Sequence, residues 1–163
     1  MKFETIEIDY LTKPAFETTI VKLKLQNDNN LFLIAAYATS SGKNEFTAEL
    51  NKIFENLKIY KNNNYFLLAG DLNAKHSAWD NITNNNRRIA LYNWLNTNQI
   101  TYRLSLLYTE VPTYPKGGSF LDVCIADNRL HFHDLTTDNK LKSYKYDSGH
   151  RTIKISLNTN TLK

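Results

Sequence analysis

Apolar and polar positions alternate early in this chain and change period twice. From Phe16 to Leu25 the sequence reads FETTIVKLKL, where Val21, Leu23 and Leu25 alternate with Lys22 and Lys24 in the period of a half-buried strand. The earlier FETIEIDY stretch alternates in the same way. Turn-forming residues from Gln26 to Asn30 close a hairpin, and its second arm, Leu31 to Ala38, is the apolar run LFLIAAYA, suited to a strand covered on both faces. The period then becomes helical. Asn44 to Leu57 sets Phe46, Leu50, Ile53, Phe54 and Leu57 on one stripe, with Asn44 placed as N-cap. Tyr65 to Asp71, YFLLAGD, predicts a buried strand that ends in polar residues. Arg87 to Asn96 predicts a second helix with the stripe Ile89, Tyr92 and Leu95. Short strands are predicted at Arg103 to Leu107, Ser119 to Ala126 and Thr152 to Leu157, the last with Ile153, Ile155 and Leu157 on one face. Asn62 to Asn64 and Asn84 to Asn86 read as loops.

Hairpins mixed with crossover helices predict an α/β sandwich, with mixed sheets covered outside by helices. No internal repeat or Pro/Gly/Ser linker interrupts the chain, so residues 1–163 are expected to form one domain.

Composition narrows the class without naming a function. With 42% hydrophobic and 22% charged residues the chain has the make-up of an ordinary globular protein and not of a disordered one. Its longest apolar stretch, Leu31 to Ala38, is far shorter than the roughly 20 residues a bilayer needs, so no membrane partner is expected. Glu4, Glu7 and Asp9 occupy the region where a signal peptide would carry its apolar core, which together with a single cysteine, Cys124, suggests a reducing compartment, nuclear or cytoplasmic. The net charge of +4 favours an anionic partner such as nucleic acid, but only Arg87 and Arg88 are adjacent arginines and no dense basic stripe is present.

Three segments hold the chemistry. In Leu68 to Asp80, LAGDLNAKHSAWD, a buried strand delivers Asp71 and Asn73, two residues apart, to one face at its C-terminal end. A carboxylate and an amide presented together can position a water and hold a phosphate oxygen, and Gly70 beside them permits close approach of backbone or ligand. In Val111 to Ala126, VPTYPKGGSFLDVCIA, Asp122 lies between Leu121 and Val123, and a carboxylate among apolar neighbours requires a partner. In Asp147 to Ile153, DSGHRTI, His150 enters the last strand. An Asp122–His150 pair would orient the imidazole and raise its basicity. Cys124 reads as inert packing, and His131 with His133 as surface residues too few to hold zinc.

These segments, in this order, resemble the endonuclease/exonuclease/phosphatase superfamily, most closely the endonuclease domains of non-LTR retrotransposons, over about Ala15 to Leu157. GDLNAKHSAWDN, PTYPKGGSFLDVCIA and the closing GHRTI are similar to three ordered blocks of that family. The resemblance implies a DNase I-like α/β/β/α fold lacking the family's first strands, and hydrolysis of DNA phosphodiesters, as a nick, with Mg2+ or Mn2+. It assigns Asp71 to the attacking water, Asn73 and Tyr37 to the phosphate, and His150 to a base backed by Asp122. It assigns nucleic-acid contacts to His76, Trp79, Thr113, Ser119 and Arg88. Two departures bear on activity. Nothing before Ala15 supplies the family's Asn or its metal-binding Glu, and Gly149 stands where the family has the Asp preceding the histidine. Weak or absent nicking is therefore expected, with loosely bound metal. The departures also keep open a non-catalytic nucleic-acid-binding or protein-interaction module, while the shared core motifs keep open a phosphatase of small substrates. Missing first strands would leave sheet edges through which a second copy could pair.

Overall fold

The computed structural model describes residues 2–7, 15–39, 45–79, 86–133, 140–145 and 149–158. Strand β1 (Lys2–Ile6) pairs antiparallel with β2 (Phe16–Lys24), which pairs antiparallel with β3 (Asn30–Ala38). Both central residues of the β2–β3 turn, Asn27 and Asp28, are left-handed, with φ of 55° and 57°, as two-residue hairpin turns demand. Helix α1 (Phe46–Asn56) then crosses to β4 (Asn64–Asp71), which runs parallel to β3. Helix α2 (Asn86–Tyr102) leads to β5 (Leu104–Leu107), and β6 (Asp122–Asp127) inserts antiparallel between β4 and β5. The sheet order is β1-β2-β3-β4-β6-β5, so β1 and β5 form its edges. A separate two-stranded ribbon joins β7 (Ser143–Tyr144) to β8 (Thr152–Ile153).

Side-chain alternation divides the interior into two cores. Ile20, Phe32, Ile34, Phe66, Leu68, Val123 and Ile125 face both helices, where Phe54 packs on Phe66, Trp94 and Tyr102 with ring centroids 4.8 to 5.1 Å apart. Trp94 Nε1 donates to Asn51 Oδ1 at 2.7 Å and ties one helix to the other. On the opposite face Leu23, Leu31, Leu67, Leu107, Cys124 and Ala126 meet Leu130 and Leu141, with Ile153, Ile155 and Leu157 packed against them. The alternation expected of the last strand is thus present. Its pairing switches, however: Leu157 bridges Phe132 beyond the ribbon. The far end of the sheet is fastened by Asp127, fully buried, which accepts from Arg129 at 2.6 and 2.8 Å, while Arg103 donates to the Ile59 carbonyl at 2.6 Å.

Three expectations about elements change. The buried stripe of α2 is Leu91, Trp94, Leu95 and Tyr102 together with Arg87 and Arg88, whereas Ile89 and Tyr92 are exposed. Of the expected stripe Leu95 is buried, but the two arginines occupy the apolar face where Ile89 and Tyr92 were expected. β3 is covered on both faces only over its first half. Ala35 and Tyr37 are exposed because the ribbon layer does not reach them. Ser119 to Leu121 does not join β6, since Ser119 pairs with Tyr114 to close the preceding turn. The expected N-cap Asn44, and Asp147, lie outside the described residues.

Candidate active site

The C-terminal end of β4 and the start of β6 are register partners, which sets Asp71 directly opposite Asp122. Both belong to the sheet face turned away from the helices. Two like charges in a cross-strand pair repel, and a cationic or hydrogen-bonding group between them relieves that repulsion. His150 supplies one. Its Nδ1 lies 2.9 Å from Asp122 Oδ2 and its Nε2 3.9 Å from Asp71 Oδ2. A carboxylate can only accept, so with Asp122 ionised Nδ1 carries the hydrogen and a neutral ring presents the Nε2 lone pair toward the Asp71 side. The imidazole is 35% exposed and both carboxylates 17%, so the group is shielded yet reachable from solvent.

The loops fix these positions. Thr113, fully buried, accepts at Oγ1 from the N–H groups of Leu121 and Asp122, both at 3.1 Å. Leu72 N donates to Leu121 O and Arg151 N to Thr113 O at 2.7 Å, which brings the histidine segment to the strand end. Tyr114 lies against His150 with centroids 5.1 Å apart. A Cβ on Gly149 would meet only the Tyr114 ring, at 3.4 Å, which is ordinary contact.

Asn73 reaches the site by a different route from the one its spacing implied. β4 ends at Asp71, and Asn73 is left-handed at φ 49°. Strand alternation therefore does not align the two side chains. Asp71 Oδ1 instead accepts from Asn73 N at 2.9 Å, and the Asn73 carboxamide donates to Ala38 O at 3.0 Å. Gly70 has φ +150°, and a Cβ there would fall 1.9 Å from Ala36 O, so it is the neighbouring backbone that makes the close approach. Tyr37, 47% exposed, lies on the same sheet face as Asp71, beside an open cleft lined by Thr19, Ala35 and Ala69.

Burial raises the Asp71 pKa most, and the Asp122 charge raises it further; the Asn73 N–H, His150 and Arg87 pull the other way. Arg87 was not singled out from the sequence. It donates to Thr39 O at 2.5 Å, lies over the Phe46 ring, and its charge is felt at Asp71. Two arginines in the first turn of a helix oppose its dipole, and that was the available signal. Tyr114 was also missed, although it sits in the quoted PTYP turn.

The residues expected to touch nucleic acid need correction. Trp79, Thr113, Ser119 and Arg88 are all buried. Trp79 is fully enclosed, with Nε1 bonded to Ala74 O at 2.8 Å, and anchors the loop after β4. Ser119 donates to Gly117 O within its turn, and burial lowers the Arg88 pKa. His76 alone is partly open. It stacks between Trp79 and Tyr92, at 4.8 and 4.3 Å, and its Nδ1 accepts from Ala78 N. Burial, then the charge of Arg88, lowers its pKa, which agrees with a neutral ring. Glu4 forms an ion pair with Lys22 at 3.6 Å on the edge of the sheet, outside the site.

Asp71 and Asp122 offer hard oxygen donors, a chemistry that suits Mg2+, which binds through one or two carboxylates and keeps several waters, although Asp122 Oδ2 is already engaged by His150. Among the described residues no group of three or more His, Cys, Asp or Glu is arranged to hold a metal. No described helix is long and apolar enough to cross a membrane.

Residues 31–154 match the family model described as endonuclease-reverse transcriptase. A comparison with curated proteins finds no match. Among solved structures, the chain is similar to the endonuclease domain of TRAS1, a telomere-specific non-LTR retrotransposon, with TM-score 0.65 and 16% identity over 86% of this chain and 63% of that one. It is also similar to the Haemophilus ducreyi cytolethal distending toxin, with TM-score 0.54 and 12% identity over 96% of this chain and 58% of that one. A mannosyl-6-phosphatase of Bacteroides thetaiotaomicron gives TM-score 0.50 and 13% identity over 86% and 55%. The chain thus spans less than two thirds of each of these structures, and the fold it shares with them is the DNase I-like one.

Proposed function

The chain belongs to the endonuclease-reverse transcriptase family, and from that premise we propose that it hydrolyses DNA phosphodiester bonds, nicking one strand. The observation that carries this reading is the grouping of Asp122, His150 and Asp71 at the C-terminal end of β4. Asp122 holds Nδ1–H, which leaves Nε2 to accept a proton from water as that water attacks phosphorus in line. The bond to the opposite oxygen breaks, the leaving alkoxide takes a proton from a solvent water, and the imidazolium returns its own proton to solvent. Asp71, whose carboxylate lies on the Nε2 side of the ring, orients the water. The Asn73 carboxamide stands at the adjoining strand end, where it can hold a phosphate oxygen. A divalent cation such as Mg2+, when bound, would offset the negative charge that builds on the phosphate oxygens, and Asp71 is the residue that would hold it.

Activity is expected to be low, because the described residues offer no preorganised three-ligand group and Gly149 supplies no carboxylate at the position that precedes His150 in the chain. The same two observations favour a second reading, a nucleic-acid-binding module without catalysis. Nicking of supercoiled plasmid in Mg2+ separates the two. Slow nicking, lost in His150→Ala and increased in Gly149→Asp, supports the enzyme. Cleavage that is absent from both the unaltered chain and Gly149→Asp, with DNA binding retained, leaves the binding module.

A further inference from the structure

Arg87 is the second residue of α2 and is only 8% exposed, and among the described residues its guanidinium hydrogen-bonds to the Thr39 carbonyl alone. Nη2 donates to Thr39 O at 2.5 Å, while Nε is buried with no hydrogen-bond partner among the described residues. A buried guanidinium normally spends its donors on carboxylates or carbonyls, because an unmet N–H in the interior is costly. The placement is costly for the helix as well, since a cation in the first turn meets the positive end of the dipole. Arg88 shares this placement in the first turn, and what distinguishes Arg87 is the bond that holds it at the end of β3, next to the carbonyl that carries Asn73.

The surroundings indicate what Arg87 does there. The Asn73 carboxamide hangs on Ala38 O and the Arg87 guanidinium on Thr39 O, successive carbonyls at the end of β3. Asp71 lies within the field of Arg87. Two facing carboxylates would repel an incoming phosphodiester. Beside His150, Arg87 is the cation among the described residues whose charge reaches Asp71. The planar fork of arginine matches two oxygens of one phosphate.

We propose that Arg87 contacts the scissile phosphodiester, its guanidinium holding a non-bridging oxygen beside the Asn73 carboxamide. The inference rests on the endonuclease reading and adds to it a binding residue on α2. A purely structural Arg87 would need no more than its bond to Thr39 O and its cover over Phe46, and would be indifferent to DNA.

The test is the salt dependence of binding to a short DNA duplex in EDTA, so that no cleavage intervenes. Loss of one phosphate-contacting cation should reduce the slope of log affinity against log salt by about 1. Arg87→Gln is expected to show that reduction together with roughly tenfold weaker binding, while Arg87→Lys keeps the slope and binds less tightly. The Arg87 Nε–H resonance of the unaltered protein gives a readout that needs no substitution and is expected to shift when the duplex is added. If the protein binds the duplex with its Asn73 amide shifting, while the Arg87 resonance and the Arg87→Gln slope are unchanged, the proposal for Arg87 is overturned and the site survives. If the unaltered chain shows no salt-dependent binding at all, the endonuclease reading falls with it.

Discussion

Asp71 shows how a single residue of the proposed site can weigh against stability. Its pKa is raised by burial and by Asp122, so the folded state favours the protonated acid. The stability this supplies is fully present below the ordinary value of 3.8 and is lost as pH rises through the raised value. Asp71→Asn keeps an acceptor for Asn73 N and removes the repulsion, so it should raise Tm near pH 7 by about 2 °C. The gain should vanish below pH 3.8, and scanning calorimetry at both pH values checks this. Asp122→Asn should act differently, releasing His150 from its tautomer. Any nicking rate should fall by at least about tenfold with little change in Tm. Burial pushes the Cys124 thiol up to about 12, so in the folded protein it should resist alkylation by iodoacetamide at pH 8 and react only on denaturation. The sequence placed Asp71, Asp122 and His150 within reach of one another because each sits in a short, ordered motif. It could not show that the charge of Arg87 reaches Asp71 from a helix, or that Trp79 and Thr113 face inward. Solvent exposure of a loop residue depends on how the loop is closed, and that is set by bonds such as Trp79 Nε1 to Ala74 O.

Elements were legible where period and burial agree. β2, β3, β4 and α1 begin and end within one or two residues of their apolar patterns. α2 was not, because two arginines complete its buried stripe and its polar end from Asn96 to Thr101 continues helical to Tyr102. The junction between β3 and β4 is the most demanding piece of local structure. Gly70→Ala would set a Cβ 1.9 Å from Ala36 O in a backbone conformation that L residues avoid. That change should cost more than about 3 kcal/mol and lower Tm by roughly 10 °C, or abolish soluble expression. Trp79→Ala, which empties a fully buried site and frees the Ala74 carbonyl, should cost about 3–5 kcal/mol in urea unfolding. Trp79→Phe should recover most of this, since packing outweighs the one hydrogen bond.

On the scale of the whole molecule, the sandwich is asymmetric. The six-stranded sheet is backed by two helices over one core, while its other face is covered by the two-stranded ribbon and the segments that adjoin it. No described residue from Ser143 to Asn158 is buried, although Ile153, Ile155 and Leu157 lean on the second core. The broad α/β class followed from the order of strands and helices. The size of the second layer did not, because short strands that pair by two residues leave almost no periodic signal. That thinness has a kinetic consequence. Cooperative opening units are bounded by where burial and ladder bonds run out, and here both thin out between the sheet that carries Asp71 and Asp122 and the ribbon whose second strand is entered from His150. Amide protons of Thr152 and Ile153 should therefore exchange through a sub-global opening, orders of magnitude faster than those of Ile34 or Leu68. Acid–base competence would then be a population, set by how often the ribbon is docked, and a ligand that bridges Asp71 and His150 would slow exchange in the ribbon without altering it in the sheet.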